Sequence, residues 1–202
     1  MGLNKKINIE NLKENRAVAE AREKLRDDMT RGIVKWVFEI IVTLVFAVLV
    51  AISAFQTVTL QESAMEPTYS VSEKFFVNRA LYKISSPKRG DVIVFKTSAS
   101  DSAALHIRRV IGLPGETVQI KDGKIYINGK VYEENGAYQD MTDGGLANSA
   151  ITLESGEYFV LGDNRNNSED SRFSDIGNIS KKYIIGKVWF TVSPKNKIGF
   201  IK

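Results

Sequence analysis

Two hydrophobic patterns divide the chain. In the N-terminal segment, 1–32, lysines, arginines and acids are interleaved, which favours a solvated helix over about Glu10–Met29. The next stretch, Ile33–Phe55, is almost entirely apolar, and Ile40–Phe55 carries no charge. The pattern therefore predicts a charged helical segment followed by an apolar helix over 33–56.

The apolar helix is long enough to cross a bilayer, which needs about 20 residues. The uncharged run is shorter than this, but the residues before it extend it, with Trp36 at interfacial depth and Lys35 able to snorkel. Glu39 would lie near the headgroups or face a partner helix. A buried helix of a soluble core is disfavoured because no charged stripe interrupts the run, and a cleavable signal peptide is disfavoured because the run begins after a long charged stretch and lacks an obvious cleavage site. We expect a transmembrane helix.

The basic residues indicate its orientation. Eight lysines and arginines precede Ile33, whereas the first basic residue after Phe55 is Lys74. Because basic residues flank membrane helices on the cytoplasmic side, the N-terminus is predicted to be cytoplasmic and residues 57–202 extracytoplasmic.

The remaining residues predict a β-rich domain. Asp122-Gly123 and Asn128-Gly129 are tight-turn signals, so Val118–Tyr132 is expected to be a three-stranded meander. Glu134–Ser149, rich in Gly, Asp and Asn, is predicted to be a surface loop. The fold class is thus mostly β, with one N-terminal transmembrane helix and a β domain over 57–202. Short runs of Val, Ile, Phe and Tyr predict these strands: Lys74–Asn78, Asp91–Lys96, Ile107–Leu113, Thr117–Ile120, Lys124–Ile127, Lys130–Tyr132, Tyr158–Leu161 and Gly186–Val192.

The amino-acid composition limits the kinds of site that the chain can form. The 202 residues include no cysteine and one histidine, His106, so disulfides, thiolate metal sites and multi-histidine metal clusters are excluded. We expect His106 to be a strand residue, and we expect no metal and no cofactor. The net charge of +4 is spread over residues of both signs. It is compatible with an anionic membrane surface, and no nucleic-acid partner is expected.

Three motif blocks follow the apolar helix, and their order resembles that of type I signal peptidases, membrane-anchored serine proteases with a Ser/Lys dyad. Arg89–Phe95 also resembles the family's strand after the first block. The third block matches the family's G-D-N-R-x-N-S-x-D-S-R at every fixed position. The three blocks are Ser63-Ala64-Met65-Glu66-Pro67-Thr68, the run His106–Glu116 (HIRRVIGLPGE), and the run Gly162–Arg172 (GDNRNNSEDSR). From Ile33 onward the chain is identified as a member of this family.

The resemblance implies that the two catalytic side chains are missing. The family's nucleophilic serine directly precedes the methionine, where this chain has Ala64, and its general-base lysine falls at Arg108. Alanine has no nucleophilic atom, and a guanidinium is not deprotonated in proteins. Glu62 falls where the family places a small residue or serine that completes the oxyanion hole, and an anion there would oppose developing negative charge. We therefore predict that the chain is inactive as a Ser/Lys peptidase.

The other motif residues are expected to shape the site. By resemblance, Ser168 would hydrogen-bond the lysine amine, and Gly162 would leave room for that side chain. Seven more residues form supporting ion pairs or complete the first motif: Asp163 with Arg109, Asp170 with Arg172, and Met65, Pro67 and Thr68.

Ser63 is a substitute nucleophile that the sequence disfavours. In an extended segment its side chain would point away from that of Ala64. An engineered inactive variant would ordinarily change one residue of a dyad, so the changes at Ala64, Arg108 and Glu62 favour natural divergence, with both origins open.

Three functions fit these observations to different degrees. The first is a signal peptidase I-like protein that engages secreted precursors or pilin-type subunits without its own proteolysis, as dyad-less members of the family do in pilus assembly. The alternative is an active signal peptidase that cleaves signal peptides from exported preproteins. The third is a membrane-tethered relative of self-cleaving repressor proteases, which the apolar helix and the lack of a DNA-binding motif disfavour.

Overall fold

The structure, a computed structural model, describes residues 3–100 and 103–201, with side chains at residue 18 and from residue 20 onward. Residues 1, 2 and 202, at the outer ends of the predicted segments 1–32 and 57–202, lie outside the described residues. So do the side chains before residue 18, including part of the predicted charged helix face.

One compact unit comprises residues up to Ile52 and consists of a single helix, α1, over Leu3–Ala54, whose last residues enter the second unit. The charged and apolar segments predicted separately are continuous in this helix, because the segment contains no proline and Gly32 alone costs only about 1 kcal/mol in a helix. The part over Glu20–Ala54 is long and apolar enough to cross a membrane, by length and composition.

Two details of α1 bear on the sequence expectations. Nζ of Lys35 lies 4.0 Å from Oε1 of Glu39, so the acid inside the apolar segment has a basic neighbour one turn away. The helix ends at Ala54, whereas the apolar pattern predicted helix through residue 56. Phe55 and Gln56 instead begin a strand, because their backbone pairs with Asn78 and Val77 of a neighbouring strand.

The second unit, Ser53–Lys202, is β-rich as predicted. Every predicted strand is present, and Lys74–Asn78 and Lys124–Ile127 have the predicted bounds. A short helix, α2, covers Leu81–Ile84. In the described part of the chain the strands are β1 Phe55–Thr59, β2 Lys74–Asn78, β3 Val92–Phe95, β4 His106–Gly112, β5 Thr117–Lys121, β6 Lys124–Ile127, β7 Lys130–Val131, β8 Ile151–Thr152, β9 Glu157–Leu161, β10 Ile179–Ser180, β11 Ile184–Ser193 and β12 Gly199–Phe200.

The strands form two antiparallel sheets. The larger has the order β1-β2-β11-β3-β4-β9-β10, with β12 paired to β11, and the smaller has the order β7-β6-β5-β8. The β5-β6-β7 part of the smaller sheet is the predicted meander. Its two turns, Asp122-Gly123 and Asn128-Gly129, have positive φ at both residues (52° and 74°, 51° and 77°), the geometry that such dipeptides favour.

The core lies on both faces of the large sheet. All four residues of β3 are buried, and because side chains alternate along a strand, Val92 and Val94 enter one hydrophobic cluster while Ile93 and Phe95 enter another. A third cluster lies between the smaller sheet and the ends of β4 and β9, where it contains Ile111. The strand β4, which carries the second motif, is therefore anchored by all three clusters.

Two features of the β domain concern burial. Met65 and Phe75 are both buried in the core, while Phe76 on the opposite face of β2 is partly exposed. The segment 134–149 is not wholly a surface loop: Gly145–Asn148 forms a 3₁₀ turn, and the segment buries Met141 and Ala147.

Candidate functional site

The first motif forms a tight turn rather than an extended segment. Ser63–Met65 is a 3₁₀ helix, so the strand-like alternation that we expected for Ser63 and Ala64 is wrong. Met65 is fully buried and anchors the turn in the core, and Ala64 is buried as well. Pro67 and Thr68, which follow in the same motif, are exposed.

Two asparagines of the third motif hold this turn in place. The backbone N–H of Asn164 donates to the carbonyl of Ala64 at 3.0 Å, and its side-chain amide donates to the carbonyl of Ser63 at 3.2 Å. The amide of Asn167 donates to Oγ of Ser63 at 3.2 Å. Sequence reasoning gave these asparagines no role, although both belong to the quoted motif. They show that the first and third motifs form one site.

Gly162 is the point of closest approach between these motifs. A Cβ placed on Gly162 would lie 2.1 Å from Oγ of Ser168 and 2.5 Å from the carbonyl oxygen of Ala64. Real side chains do not tolerate such distances, so the residue must be glycine for the three to pack together. Its backbone N–H donates to Oδ2 of Asp170 at 3.0 Å, which fixes its position.

Arg108 lies on β4 and is fully buried, with its guanidinium held on several sides. Nε donates to the carbonyl of Glu169 at 2.8 Å, and Nη1 donates to the carbonyl of Ile107 at 2.8 Å. Nη2 donates to Oε2 of Glu62 at 2.6 Å, a short charge-assisted contact. The second motif is thus joined to the residue that precedes the 3₁₀ turn.

Glu62 also contacts the single histidine. Nδ1 of His106 lies 3.0 Å from Oε1 of Glu62, and this nitrogen has no hydrogen-bond partner among the described residues. Burial by itself would raise the pKa of Glu62, but the contacts with His106 and Arg108 outweigh it and lower the pKa from 4.5 to about 2. The carboxylate is therefore ionised at neutral pH.

The first of the two predicted supporting pairs joins Arg109 and Asp163. Nε and Nη2 of Arg109 donate to the two carboxylate oxygens of Asp163 at 2.8 and 2.7 Å. Burial alone would lower the pKa of Arg109, but the hydrogen bonds and charge of Asp163 raise it. Such a two-pronged pair ties β4 to the loop after β9.

The second pair, Arg172 with Asp170, has the same form, with distances of 2.8 and 2.9 Å. A third pair, which the sequence did not suggest, joins Arg165 to Glu134, and the ring of Tyr138 lies 4.2 Å from the Arg165 guanidinium carbon. This pair fastens the predicted loop to the third motif.

A cleft of about 470 Å³ opens between the first and third motifs. Glu62, Ser63, Ala64 and Ser168 are among the residues that line it. Ser168 does not hydrogen-bond the head group of Arg108: its Oγ is buried and has no hydrogen-bond partner among the described residues. Four of the predicted site residues therefore line this cleft, whereas Pro67 and Asp163 line a separate one. Arg108 is paired to Glu62, and the Ser168 hydroxyl has no hydrogen-bond partner among the described residues.

One protein family matches most of the chain. The family described as "Signal peptidase, peptidase S26" matches residues 33–193. The chain belongs to the signal peptidase family. The matched range begins within α1 and continues through β11, so it includes the apolar helix and all three motifs around the cleft.

Two relatives agree with this membership. A signal peptidase I of Bacillus amyloliquefaciens is 36% identical over 186 residues, which cover 87% of this chain and 96% of that protein. A signal peptidase I of Bacillus licheniformis is 33% identical over 171 residues, covering 81% and 90%. The crystal structure of a signal peptidase I from Enterococcus faecalis V583 is 33% identical, covers 52% of this chain and 98% of its own, and superimposes with a TM-score of 0.43.

Proposed function

We propose that this member of the signal peptidase family engages secreted precursors or pilin-type subunits at the outer face of the membrane without Ser/Lys proteolysis of its own. In this proposal Ala64 occupies the nucleophile position, Arg108 the general-base position and Glu62 an oxyanion-hole position. The observation that carries it is the ion pair between Arg108 and Glu62 beside Ala64.

Each catalytic role of a Ser/Lys peptidase lacks the side chain that would perform it. Ala64 offers no atom to attack a carbonyl. A guanidinium is not deprotonated in proteins, so the Arg108 head group, which is enclosed by acceptors, cannot take a proton from a nucleophile. The carboxylate of Glu62 lines the cleft as an anion and would repel the negative charge of a tetrahedral intermediate. The first and third motifs nevertheless pack together around these positions, which supports binding without turnover.

The membrane location has separate support. Signal peptidases I act on secreted preproteins at the membrane, and α1 is long and apolar enough to anchor the chain there. The excess of basic residues before Ile33 supports a cytoplasmic N-terminus and an extracytoplasmic β domain. The β domain would then meet precursors on the extracytoplasmic side.

One observation favours the alternative, an active signal peptidase. Ser63 lies in the 3₁₀ turn and lines the same cleft as Ala64, so its hydroxyl is not turned away as an extended segment would require. Its contact with the amide of Asn167, however, is with a hydrogen-bond donor, and an amide is no general base. The first proposal is therefore the better supported.

A cleavage assay separates the two functions. The full chain is reconstituted in lipid vesicles with a preprotein that has an intact signal peptide, and cleaved product is followed over time. The Ser63→Ala variant is measured in parallel, with an active signal peptidase I as the positive control. We expect no product from either form. Product from the unmodified chain that disappears in Ser63→Ala would establish the alternative.

Binding is measured on the same vesicles. A photo-crosslinker in the preprotein, beside its cleavage site, should label the unmodified chain, and labelling should fall when Phe173, at the edge of the cleft, is replaced by Asp. Absence of both product and crosslink would overturn the proposal. A pilin-type subunit assayed in the same way tests the second class of partner.

A further inference from the structure

A cleft of about 400 Å³, separate from the one beside Ala64, has a basic rim. Its basic residues come from three segments of the β domain: the residue after β2, the helix α2, and the 3₁₀ turn that precedes β11. They are Arg79, Lys83, Lys181 and Lys182. In the described part of the chain no aspartate or glutamate lines this basic cleft, and none of the four forms an ion pair. The described residues therefore leave its positive charge unbalanced.

One carboxylate contacts a residue of the basic cleft, but its charge is already paired. Oδ2 of Asp91 accepts a hydrogen bond at 2.8 Å from the hydroxyl of Tyr82, which lines the cleft. Oδ1 of Asp91 lies 2.6 Å from Nζ of Lys187, which does not line it. Because Lys187 neutralises Asp91, this acid does not balance the rim.

The amine of Lys181 has a defined position in the rim. It donates to the carbonyl of Ser85 at 2.9 Å and to Oγ of Ser86 at 3.1 Å. Both partners are uncharged, so these bonds hold the amine without cancelling its charge. An ammonium has three donors, which leaves one for a ligand.

The rest of the lining of the basic cleft is apolar or aromatic. Tyr82 is buried, and Ile184 and Ile185 are partly buried against two of the core clusters. The methylene stems of lysine and arginine add further apolar surface. Basic groups combined with apolar walls suit an anion that carries hydrocarbon, and a phospholipid has both parts.

The basic cleft begins where the chain leaves the apolar helix. Phe55, the first residue of β1, pairs with Asn78 of β2. The backbone N–H of the next residue, Arg79, donates to the carbonyl of Ala54, the last residue of α1, at 2.9 Å. Since α1 is long and apolar enough to cross a membrane and stays apolar up to Ala54, its end marks the level of the lipid headgroups.

Exposed aromatic rings beside Phe55 are a separate sign of that level. The ring of Phe55 stacks on Trp189 at 5.3 Å, and Trp189 meets Phe200 at 5.2 Å. Trp189 and Phe200 are 39% and 67% exposed. Because aromatic side chains are enriched at membrane–water interfaces, these rings also place the start of β1 among the headgroups.

We infer that the basic cleft binds the headgroup phosphate of an anionic phospholipid in the leaflet next to the β domain. Arg79, Lys83 and Lys182 supply the attraction, and the amine of Lys181 donates to a phosphate oxygen. The inference does not depend on whether the cleft beside Ala64 binds a precursor. A bound lipid would hold the β domain at the membrane by a second point besides α1.

Native mass spectrometry of the full chain in detergent micelles tests the inference. Phosphatidylglycerol and phosphatidylcholine with identical acyl chains are titrated separately, since both carry a phosphate but only the first has a net negative charge. We expect phosphatidylglycerol to bind at least about tenfold more tightly, and the preference to weaken as the salt concentration is raised. Inorganic phosphate in large excess should not displace the lipid. Full displacement would indicate a site for free phosphate and would overturn the lipid assignment.

Substitutions in the rim locate the effect. Arg79→Gln with Lys83→Gln and Lys182→Gln should lower the preference to about twofold or less, because the attraction falls with each charge removed. Arg79→Lys with Lys83→Arg and Lys182→Arg keeps the charges and should keep the preference. Lys181 is unchanged in both variants, since its bonds to Ser85 and Ser86 also join two segments of the β domain.

A matched control separates the site from the net charge of the chain. Lys121→Gln with Lys124→Gln and Lys130→Gln removes the same charge from exposed positions of the smaller sheet, outside the basic cleft, and should keep the preference. Three results would overturn the inference: equal binding of the two lipids by the unmodified chain, an unchanged preference in the rim variant without the charges, or the same loss in this control.

Discussion

Oε2 of Glu62 lies 2.6 Å from Nη2 of Arg108, a side chain that is fully buried, whereas 36% of the Glu62 side chain remains exposed. The pair joins two residues that are 46 positions apart in the sequence. It explains how an arginine is accommodated inside this site: the carboxylate supplies the charge that burial of a guanidinium requires. The two residues are therefore structurally coupled.

The first prediction concerns the stability of this pair. Glu62→Gln leaves the Arg108 guanidinium buried without a counter-charge and should lower the free energy of unfolding by about 1–3 kcal/mol, less than for a wholly buried pair because Glu62 is partly exposed. Urea unfolding of the full chain in micelles measures this. Arg108→Met combined with Glu62→Gln should recover part of the loss. Additive losses in the double variant would mean that the pair is not coupled.

The lowered pKa of Glu62 predicts a pH dependence. Because the folded-state pKa is about 2 and the ordinary value is 4.5, the stabilisation from this group is present above about pH 5 and is lost as the pH falls towards about 2. The unmodified chain should lose about 1–2 kcal/mol more than Glu62→Gln over this interval, a figure reduced for partial exposure. Parallel pH profiles of the two forms would contradict this assignment.

The sequence predicted the pattern of the fold better than the contacts of the site. Strands such as β4 and the two Asx-Gly turns are visible because runs of β-favouring residues and turn chemistry are local. The strands β8, β10 and β12 have two residues each, too few for such a run, and unlike the equally short β7 they do not follow an Asx-Gly turn; β1 directly continues the apolar run of α1. Its strand state depends on pairing with β2, which is not local.

At the site, sequence motifs identified which residues meet but not how they contact one another. Glu62 was expected only as an anion that opposes catalysis. Its contacts with Arg108 and His106 depend on how β4 packs against the 3₁₀ turn. The same holds for Arg165 and Glu134, which lie in different segments 31 residues apart. Such contacts follow from tertiary packing, which a local pattern does not contain.

Close packing at Gly162 gives a prediction about substitution. Gly162→Ala would place a methyl group 2.5 Å from the carbonyl oxygen of Ala64 and against Oγ of Ser168, so the turn must move. We expect a loss of about 2–4 kcal/mol in the free energy of unfolding. Gly199→Ala, where nothing lies within 4 Å of the new methyl, is the control and should change stability by less than about 0.5 kcal/mol. Similar losses in both variants would argue against specific crowding at Gly162.

The orientation of the chain can be tested because it contains no cysteine. A single cysteine introduced as Ser149→Cys, at an exposed position of the β domain, should react with a membrane-impermeant maleimide in intact cells. Glu20→Cys, in the charged part of α1, should react only after the cells are permeabilised. The opposite labelling pattern would reverse the predicted topology.

Restoration of activity is predicted to need replacement of Glu62 as well as of Ala64 and Arg108. In Ala64→Ser with Arg108→Lys, the new amine would meet the carboxylate that now binds Arg108, and an adjacent anion favours the charged, non-basic form of a lysine. The double variant should therefore cleave a preprotein weakly or not at all. Adding Glu62→Ser removes that anion and supplies a hydroxyl donor, and we expect cleavage at least about tenfold faster than in the double variant. Adding Glu62→Gln instead separates the effect of charge from that of the hydroxyl, and Glu154→Gln controls for net charge. Equal cleavage by the double and triple variants would show that Glu62 does not restrain the base, and no cleavage by either would refute the assignment of positions 64 and 108 as nucleophile and base.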